Sequence, residues 1–570
     1  MTTGTALTRR WRAAALPALI ATVPLVGMSL QGDERPRVYS VISRYSSNPF
    51  KMIKGTYDEL DFFLSRGNFR PVGRLLETVE HGFIFEAGEA TGLAPHVVHG
   101  VIRLLMVVLL AGVAASVVAA LARSAGATAG HPLLVLYPLI LGTVLVASGS
   151  HGPDAPYRWF NHITLVHFPH TIIGAVVLVL GIALVVARDR DMETRPVRRA
   201  ELAAMAGLGG LAAVFYDLVY LAPALAAVFV AARVIAAGRP VKEILATAAV
   251  KRWAALSVGF LVVFIPVRIE IARRCSEADC YVGTDISLSP DVLNHFGRRL
   301  IAGTPPAGWL HNAELARHFG IDLGLRDLAT NALTGILLVA IAAVAVATVI
   351  SVSRAGGHGR NLARPGVLSE AAETGSPPRS PLPRVLSEAA ETGSPPRSFR
   401  LALALALIGA AGASLSALLA SLVTVVQNIE PRAIDAWRET LLTQVAWSFL
   451  ISACLAATLG AVRYRSSRQI AVGLAAALLA ASLTATLLAN WRMAQADRQT
   501  PLSSITSQIS AAVINLDTTE NGNARRCSLI DAYSELVPDH LNMGGPAVQE
   551  HLDHLMLQRH GWPFCDRTRY

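Results

Sequence analysis

Residues 102–121 read IRLLMVVLLAGVAASVVAAL, twenty positions in which Arg103 is the one charge. A helix that crosses a bilayer needs ~20 mostly apolar residues, because 1.5 Å of rise per residue has to cover a hydrocarbon core of roughly 30 Å. This stretch meets that requirement, and similar ones recur on both sides of it. Working outward, comparable runs lie near 13–30, 133–149, 163–187, 202–217, 219–237, 253–269, 332–350, 401–426, 444–462 and 470–489. The fifth and sixth runs in chain order, 202–217 and 219–237, are short and share a tight connection. The expected fold class is an all-α polytopic membrane protein with about eleven transmembrane helices.

Composition agrees. Of 570 residues, 53% are hydrophobic and 16% charged, against about 25% charged in soluble domains; the mean hydropathy is +0.45. The formal net charge of +10 does not indicate nucleic acid, because the basic residues stand in short groups at the ends of apolar runs, as the positive-inside bias requires. Arg9, Arg10 and Arg12, then Arg188, Arg190, Arg195, Arg198 and Arg199, then Arg239, Lys242, Lys251 and Arg252, then Arg463, Arg465 and Arg468 all fall on one side of an eleven-span chain. That side is the cytoplasm, so the N-terminus is expected inside and the C-terminus outside. The first run follows a basic group as a signal peptide would, but no small-residue cleavage site follows Leu30, and we read it as a retained signal-anchor.

The expected organisation is a first span (1–30), an external loop (31–98), spans two to seven (99–267), an external loop (268–330), span eight (331–350), a cytoplasmic linker (351–400), spans nine to eleven (401–489) and an external helical domain (490–570). The linker carries a fourteen-residue segment, 367–380, repeated unchanged at 385–398; rich in Ser, Pro and Glu, it is expected to be disordered. Cys275, Cys280, Cys527 and Cys565 all fall outside. Pairing within each external segment gives Cys275–Cys280 and Cys527–Cys565, the alternative being free thiols. In the C-terminal domain Ile505, Ile509 and Val513 suggest one helix, and Val548, Leu552 and Leu555 a second.

Chemistry-bearing residues gather in the external segments. In 31–98, Tyr57-Asp58-Glu59-Leu60-Asp61 is followed by Gly67-Asn68-Phe69-Arg70-Pro71-Val72-Gly73-Arg74. Val72, Leu75, Leu76, Val79 and Phe83 then recur at helical spacing, with Arg74, Glu77 and Glu80 on the polar side. Such a helix would lie on the membrane surface or pack against the other external segments. His151, His162, His167 and His170 make a His-rich tract with Tyr157, Arg158 and Trp159; such tracts bind metal, though aromatic and amphipathic side chains also collect at the membrane interface. Asp217 is costly at the end of a span unless it lines a polar cavity or finds a partner, the other reading being a tight-turn residue. Arg268, Glu270, Arg273 and Arg274 open the 268–330 loop against the positive-inside bias, and guanidinium groups there suit phosphate oxygens.

A first external loop with adjacent acids, in a bundle of about eleven helices with an external C-terminal domain, resembles the GT-C superfamily of membrane glycosyltransferases. That family takes a sugar from a polyprenyl-phosphate carrier, and its signature is an acid pair in this loop, written DxD, ExD, DDx, DEx or EDx. Here Asp58-Glu59-Leu60 fits DEx, Glu59-Leu60-Asp61 fits ExD, and Gly67 to Arg74 is similar to the G-x-x-R-P element that follows the pair. The motif likeness covers about twenty residues, and Lys51 and Lys54 just upstream depart from it. The resemblance implies an enzyme of the inner (cytoplasmic) membrane, multi-pass, with its active face outside and a lipid or glycan acceptor of the cell envelope. It implies Asp58 as the base, Asp61 next, Glu59 orienting the acceptor or sharing a divalent cation (Mg or Mn) with Asp58, and Arg70, Arg74, Arg268, Asp217 and Arg103 around the phosphate. The rival classes are a transporter or flippase of a lipid-linked glycan, and a non-catalytic envelope scaffold. A mid-membrane cavity holding Asp217 and Arg103 would favour transport; an acid-lined pocket within reach of arginines would favour transfer.

Overall fold

Prolines set where many of the helices begin. Pro49, Pro71, Pro95, Pro132, Pro169, Pro305 and Pro501 each stand in the first turn of a helix, where a missing N–H costs nothing because that donor has no intrahelical partner. The computed structural model describes residues 15–128, 131–151, 160–161, 163–188, 196–240, 243, 245, 247–275, 286–321, 336–347, 350, 396–428, 438–462, 464–537 and 544–569. Within them the chain is helical apart from a two-residue antiparallel pair, Ser150–His151 with Phe160–Asn161. In chain order the helices used below are α1 (Ala15–Gly27), α2 (Glu34–Tyr45), α3 (Pro49–Asp58), α4 (Leu60–Ser65), α5 (Pro71–Thr91), α6 (Pro95–Ser124), α7 (Pro132–Val144), α8 (Pro169–Val186), α9 (Arg199–Ala213), α10 (Asp217–Ala237) and α11 (Ala248–Cys275). They continue with α12 (Val292–Ala302), α13 (Pro305–His318), α14 (Ile336–Ala347), α15 (Arg397–Ser421), α16 (Thr424–Asn428), α17 (Thr440–Ala461), α18 (Ser466–Gln499), α19 (Pro501–Ile514), α20 (Glu520–Leu536) and α21 (Gly545–His560).

Among the described residues seven helices are long and apolar enough to cross a membrane: α6, α8, α10, α11, α15, α17 and α18. The other four apolar runs in the sequence fall on shorter helices. α1, α7 and α14 are apolar but too short by this measure, and α9 has 15 residues. Two of these shorter helices are packed tightly into the bundle. α7 is almost wholly enclosed, with Leu136, Tyr137, Leu139, Ile140 and Leu141 at 1% exposure or less, and α9 is paired with α11 through small residues. A Cβ on Gly209 would stand 2.0 Å from the Leu256 carbonyl, and one on Gly259 would stand 2.0 Å from that of Ala206. In lipid, where apolar side chains gain nothing by leaving the solvent, such backbone approach is what holds helices together. α11 itself turns Val258, Val262, Ile265 and Ile269 outward, the surface expected of a helix against acyl chains.

The apolar interior divides into two. One cluster, from Val107 and Leu110 through Ile173 and Phe229 to Phe449 and Leu483, fills the bundle. The other joins Tyr39, Ile42, Ile84 and Phe85 to Ile509, Ile530, Tyr533, Leu552 and Phe564. The first loop and the C-terminal residues, over 400 positions apart, therefore form one cap. A disulfide between Cys527 and Cys565 closes its C-terminal part. Cys275 is disulfide-bonded as well; its expected partner Cys280 lies outside the described residues, as does the repeat except for its last three residues, 396–398, of which Arg397 and Ser398 open α15.

Candidate anion site and a histidine–carboxylate network under the cap

The first turn of α5 is pinned by a glycine. Gly73 packs so closely on the α9–α10 turn that a Cβ there would stand 2.4 Å from the Phe215 carbonyl and 3.5 Å from Thr171 Cγ2, and Val72 N–H donates to the Val214 carbonyl at 3.3 Å. This seats Arg70, the residue before Pro71, beside Asp217 at 3.6 Å and over the Tyr216 ring at 4.9 Å. Asn68 Oδ1 accepts from its Nε at 2.6 Å. Arg268 comes up from α11, 4.0 Å from the other oxygen of Asp217, with Tyr220 and Phe264 at 5.2 and 5.3 Å. One turn along α5, Arg74 lies 3.4 Å from Glu77 and over Phe63 at 4.6 Å, and Arg37 of α2 reaches the same Glu77 oxygen at 3.2 Å.

Four guanidinium groups thus share two carboxylates, and an anion would balance the excess. Arg438 also acts electrostatically on Arg70 and Tyr216. Burial, with Arg37 and Arg70 close by, pulls the Arg74 guanidinium down to about 10 despite Glu77. Burial pushes Glu77 up, but Arg37, Arg74 and Arg70 together hold it below the usual carboxylate range. Arg74 Nε is buried without an acceptor. The structure therefore brings Arg70, Arg74, Arg268 and Asp217 together, and adds Arg37, which the sequence reading did not single out.

The loop acids stand apart from this cluster. Asp58 ends α3 and pairs with Lys54 at 2.5 Å, its side chain half exposed. Glu59, between α3 and α4, is 3.3 Å from Arg44. Asp61 is 81% exposed and meets Arg274 of α11 at 2.6 Å. Three carboxylates on three different cations do not converge as divalent-ion ligands, and no group of three or more His, Cys, Asp or Glu suited to a metal occurs among the described residues. His167 is buried against Phe168, with ring centroids 4.2 Å apart. The side chain of His151 and residues 157–159 and 162 lie outside the described residues.

Arg103 belongs to a second network. Helix α5 turns Leu76, Val79 and Phe83 outward, while Glu77, Glu80 and His81 are buried. The polar side packs against protein, and the exposed apolar side is the one a membrane surface would take. Arg103 donates to the Leu25 carbonyl at 3.2 Å and to His99 Nδ1 at 2.7 Å. His99 Nε2 then lies 3.5 Å from Glu34 and 3.3 Å from Glu80, and the other Glu80 oxygen is 2.7 Å from His170 Nδ1. Burial pushes Glu80 up, yet contacts with His170 and His99 win and keep it below the usual range. Burial dominates at Glu34, whose carboxyl is pushed up to about 7 in spite of Arg103 and backbone N–H donors from Gln31 and Phe168. The sequence reading places Arg103, His170 and, on the polar side of its helix, Glu80, but does not single out Glu34 or His99. Two His on successive turns of a helix entry, 96 and 99, and the five-residue run from Glu77 to His81 were the available signal.

Between α6, α8, α10, α15 and α17 lies a small cavity of about 20 Å³ lined by Val117, Leu180, Leu225, Phe229, Ile408 and Phe449. It holds neither Asp217 nor Arg103. No protein-family model, no curated protein and no solved structure matches this chain.

Proposed function

We propose that the protein is a membrane glycosyltransferase that moves a sugar from a polyprenyl-phosphate donor to a cell-envelope acceptor. In this reading the chain has eleven spans, counting the shorter apolar helices, with the N-terminus in the cytoplasm and the cap outside the cytoplasmic membrane. The observation that carries it is the arginine excess of Arg37, Arg70, Arg74 and Arg268 over Glu77 and Asp217, at the cap end of α5, α10 and α11. Sugar transfer releases a phosphate whose charge must be stabilised as it develops, and preorganised guanidinium groups do so without reorganising. The lipid-facing surface of α11 beside Arg268 suits a ligand with a long apolar tail. The loop carboxylates Asp58, Asp61 and Glu59 meet the acceptor at the rim. Their separate ion pairs do not suit a Mg or Mn site.

Deletion of the gene followed by analysis of envelope glycans tests this. Transfer requires a sugar to disappear and to return with the wild-type gene, while Arg70→Ala, Arg268→Ala restores it about a hundredfold less well. An intact lipid-linked precursor building up inside the cell would instead identify a transporter.

A further inference from the structure

We propose that His170, held by Glu80, is the group that takes the acceptor proton. The inference rests on the glycosyl-transfer reading above. Tautomers follow from the partners. Arg103 has only donors, so at 2.7 Å it makes His99 Nδ1 an acceptor and places the His99 proton on Nε2, toward Glu80 and Glu34. Glu80 is fully enclosed and holds one oxygen toward His99 and the other 2.7 Å from His170 Nδ1. A carboxylate oxygen 2.7 Å away, in contact though not in line for a hydrogen bond, favours the His170 proton on Nδ1, so that the neutral ring carries its lone pair on Nε2. This is the arrangement in which a buried acid orients an imidazole for base catalysis. About a third of the His170 side chain is open, against 1% of Glu80, so the chain of contacts runs from the interior to a partly open imidazole.

Position connects this dyad to the arginines. Thr171 packs 3.5 Å from the Cβ position of Gly73, so His170 and Arg74 flank one close contact between α8 and α5. The loop acids have no comparable support, each being tied to a surface cation. The acceptor hydroxyl gives its proton to His170 Nε2, and its oxygen bonds to the anomeric carbon. The bond from that carbon to the phosphate oxygen breaks, its electron pair leaving with the polyprenyl phosphate beside Arg70 and Arg268. The charged or titratable groups around His170 are Glu80 from α5, His99 from α6 and, behind His99, Arg103 and Glu34.

The test uses the full chain in the deletion strain and, purified, in nanodiscs with undecaprenyl phosphate as the probe of the anion site. His170→Gln should bind undecaprenyl phosphate within twofold of wild type but restore the missing envelope sugar at least about a hundredfold less well. In membranes, imidazole should raise transfer by His170→Ala and leave wild type unchanged. Glu80→Gln should lower kcat about tenfold with KM held, and Glu80→Asp should recover part of it. If His170→Gln restores the sugar within threefold, or loses lipid binding along with transfer, the dyad is wrong and the transfer reading stands. If Asp58→Asn, Asp61→Asn abolishes transfer while His170→Gln does not, the loop is the base. If the wild-type gene restores no sugar, the transfer reading falls and the dyad with it.

Discussion

Buried ionisable groups give this protein a measurable pH signature, and Glu34 is the clearest. Its carboxyl is pushed from the ordinary 4.5 up to about 7, chiefly by burial. The folded chain then binds more protons than the unfolded one between those values. The stability contributed here is full below about pH 4.5 and is lost as pH rises through about 7. Glu77 and Glu80, held below the usual range, act in the opposite sense, their contribution being present above about 4.5 and lost as pH falls. His81, pulled down mainly by burial, also opposes Glu34, so the comparison has to be made against a variant. Thermal unfolding of wild type and Glu34→Gln in detergent should give similar Tm values near pH 5, with the variant gaining steadily on wild type up to pH 8. A difference that does not change with pH would show that Glu34 keeps an ordinary carboxyl.

Among the elements, α5 shows how far a helical pattern can be read. The spacing of Val72, Leu75, Leu76, Val79 and Phe83 identifies a helix and its apolar side, because side chains three and four apart share a face. It does not say which side meets protein. α2, α6 and α8 present Arg37, His99 and His170 to α5, and desolvating carboxylates is tolerable where such partners exist. The seat of α5 depends on Gly73. Gly73→Ala puts a Cβ against the Phe215 carbonyl, which is backbone and cannot swing aside. It should cost about 1–3 kcal/mol and weaken undecaprenyl phosphate binding by moving Arg70 away from Asp217. Gly181→Ala in α8, which meets nothing within 4 Å, should leave both the Tm and the binding as they are.

For the whole molecule, the cap is the feature with consequences for folding. Its core is built from two chain segments separated by all the membrane helices, so it cannot consolidate until the last helices are in place. Cys527–Cys565 spans 38 residues, and closing such a loop removes roughly 4 kcal/mol of unfolded-state entropy. Cys527→Ser, Cys565→Ser should therefore speed amide exchange in α20 and α21 far more than in α15 or α17, measured by mass spectrometry in detergent. The sequence by itself determined that this is a helical membrane protein, and it marked Arg70, Arg74, Arg268, Asp217, Arg103 and the loop acids as candidates. The first follows from a local rule, the thickness of the hydrocarbon core, and the placing of Asp217 and Arg268 from the cost and bias of charge near lipid. Only the tertiary structure decided that Arg37 joins those arginines, that Arg103 leaves them for His99, that the loop acids face solvent, and that Glu34 and Glu80 are buried. Each of these depends on contacts between residues tens to hundreds of positions apart, and helical periodicity carries no information about which faces will meet.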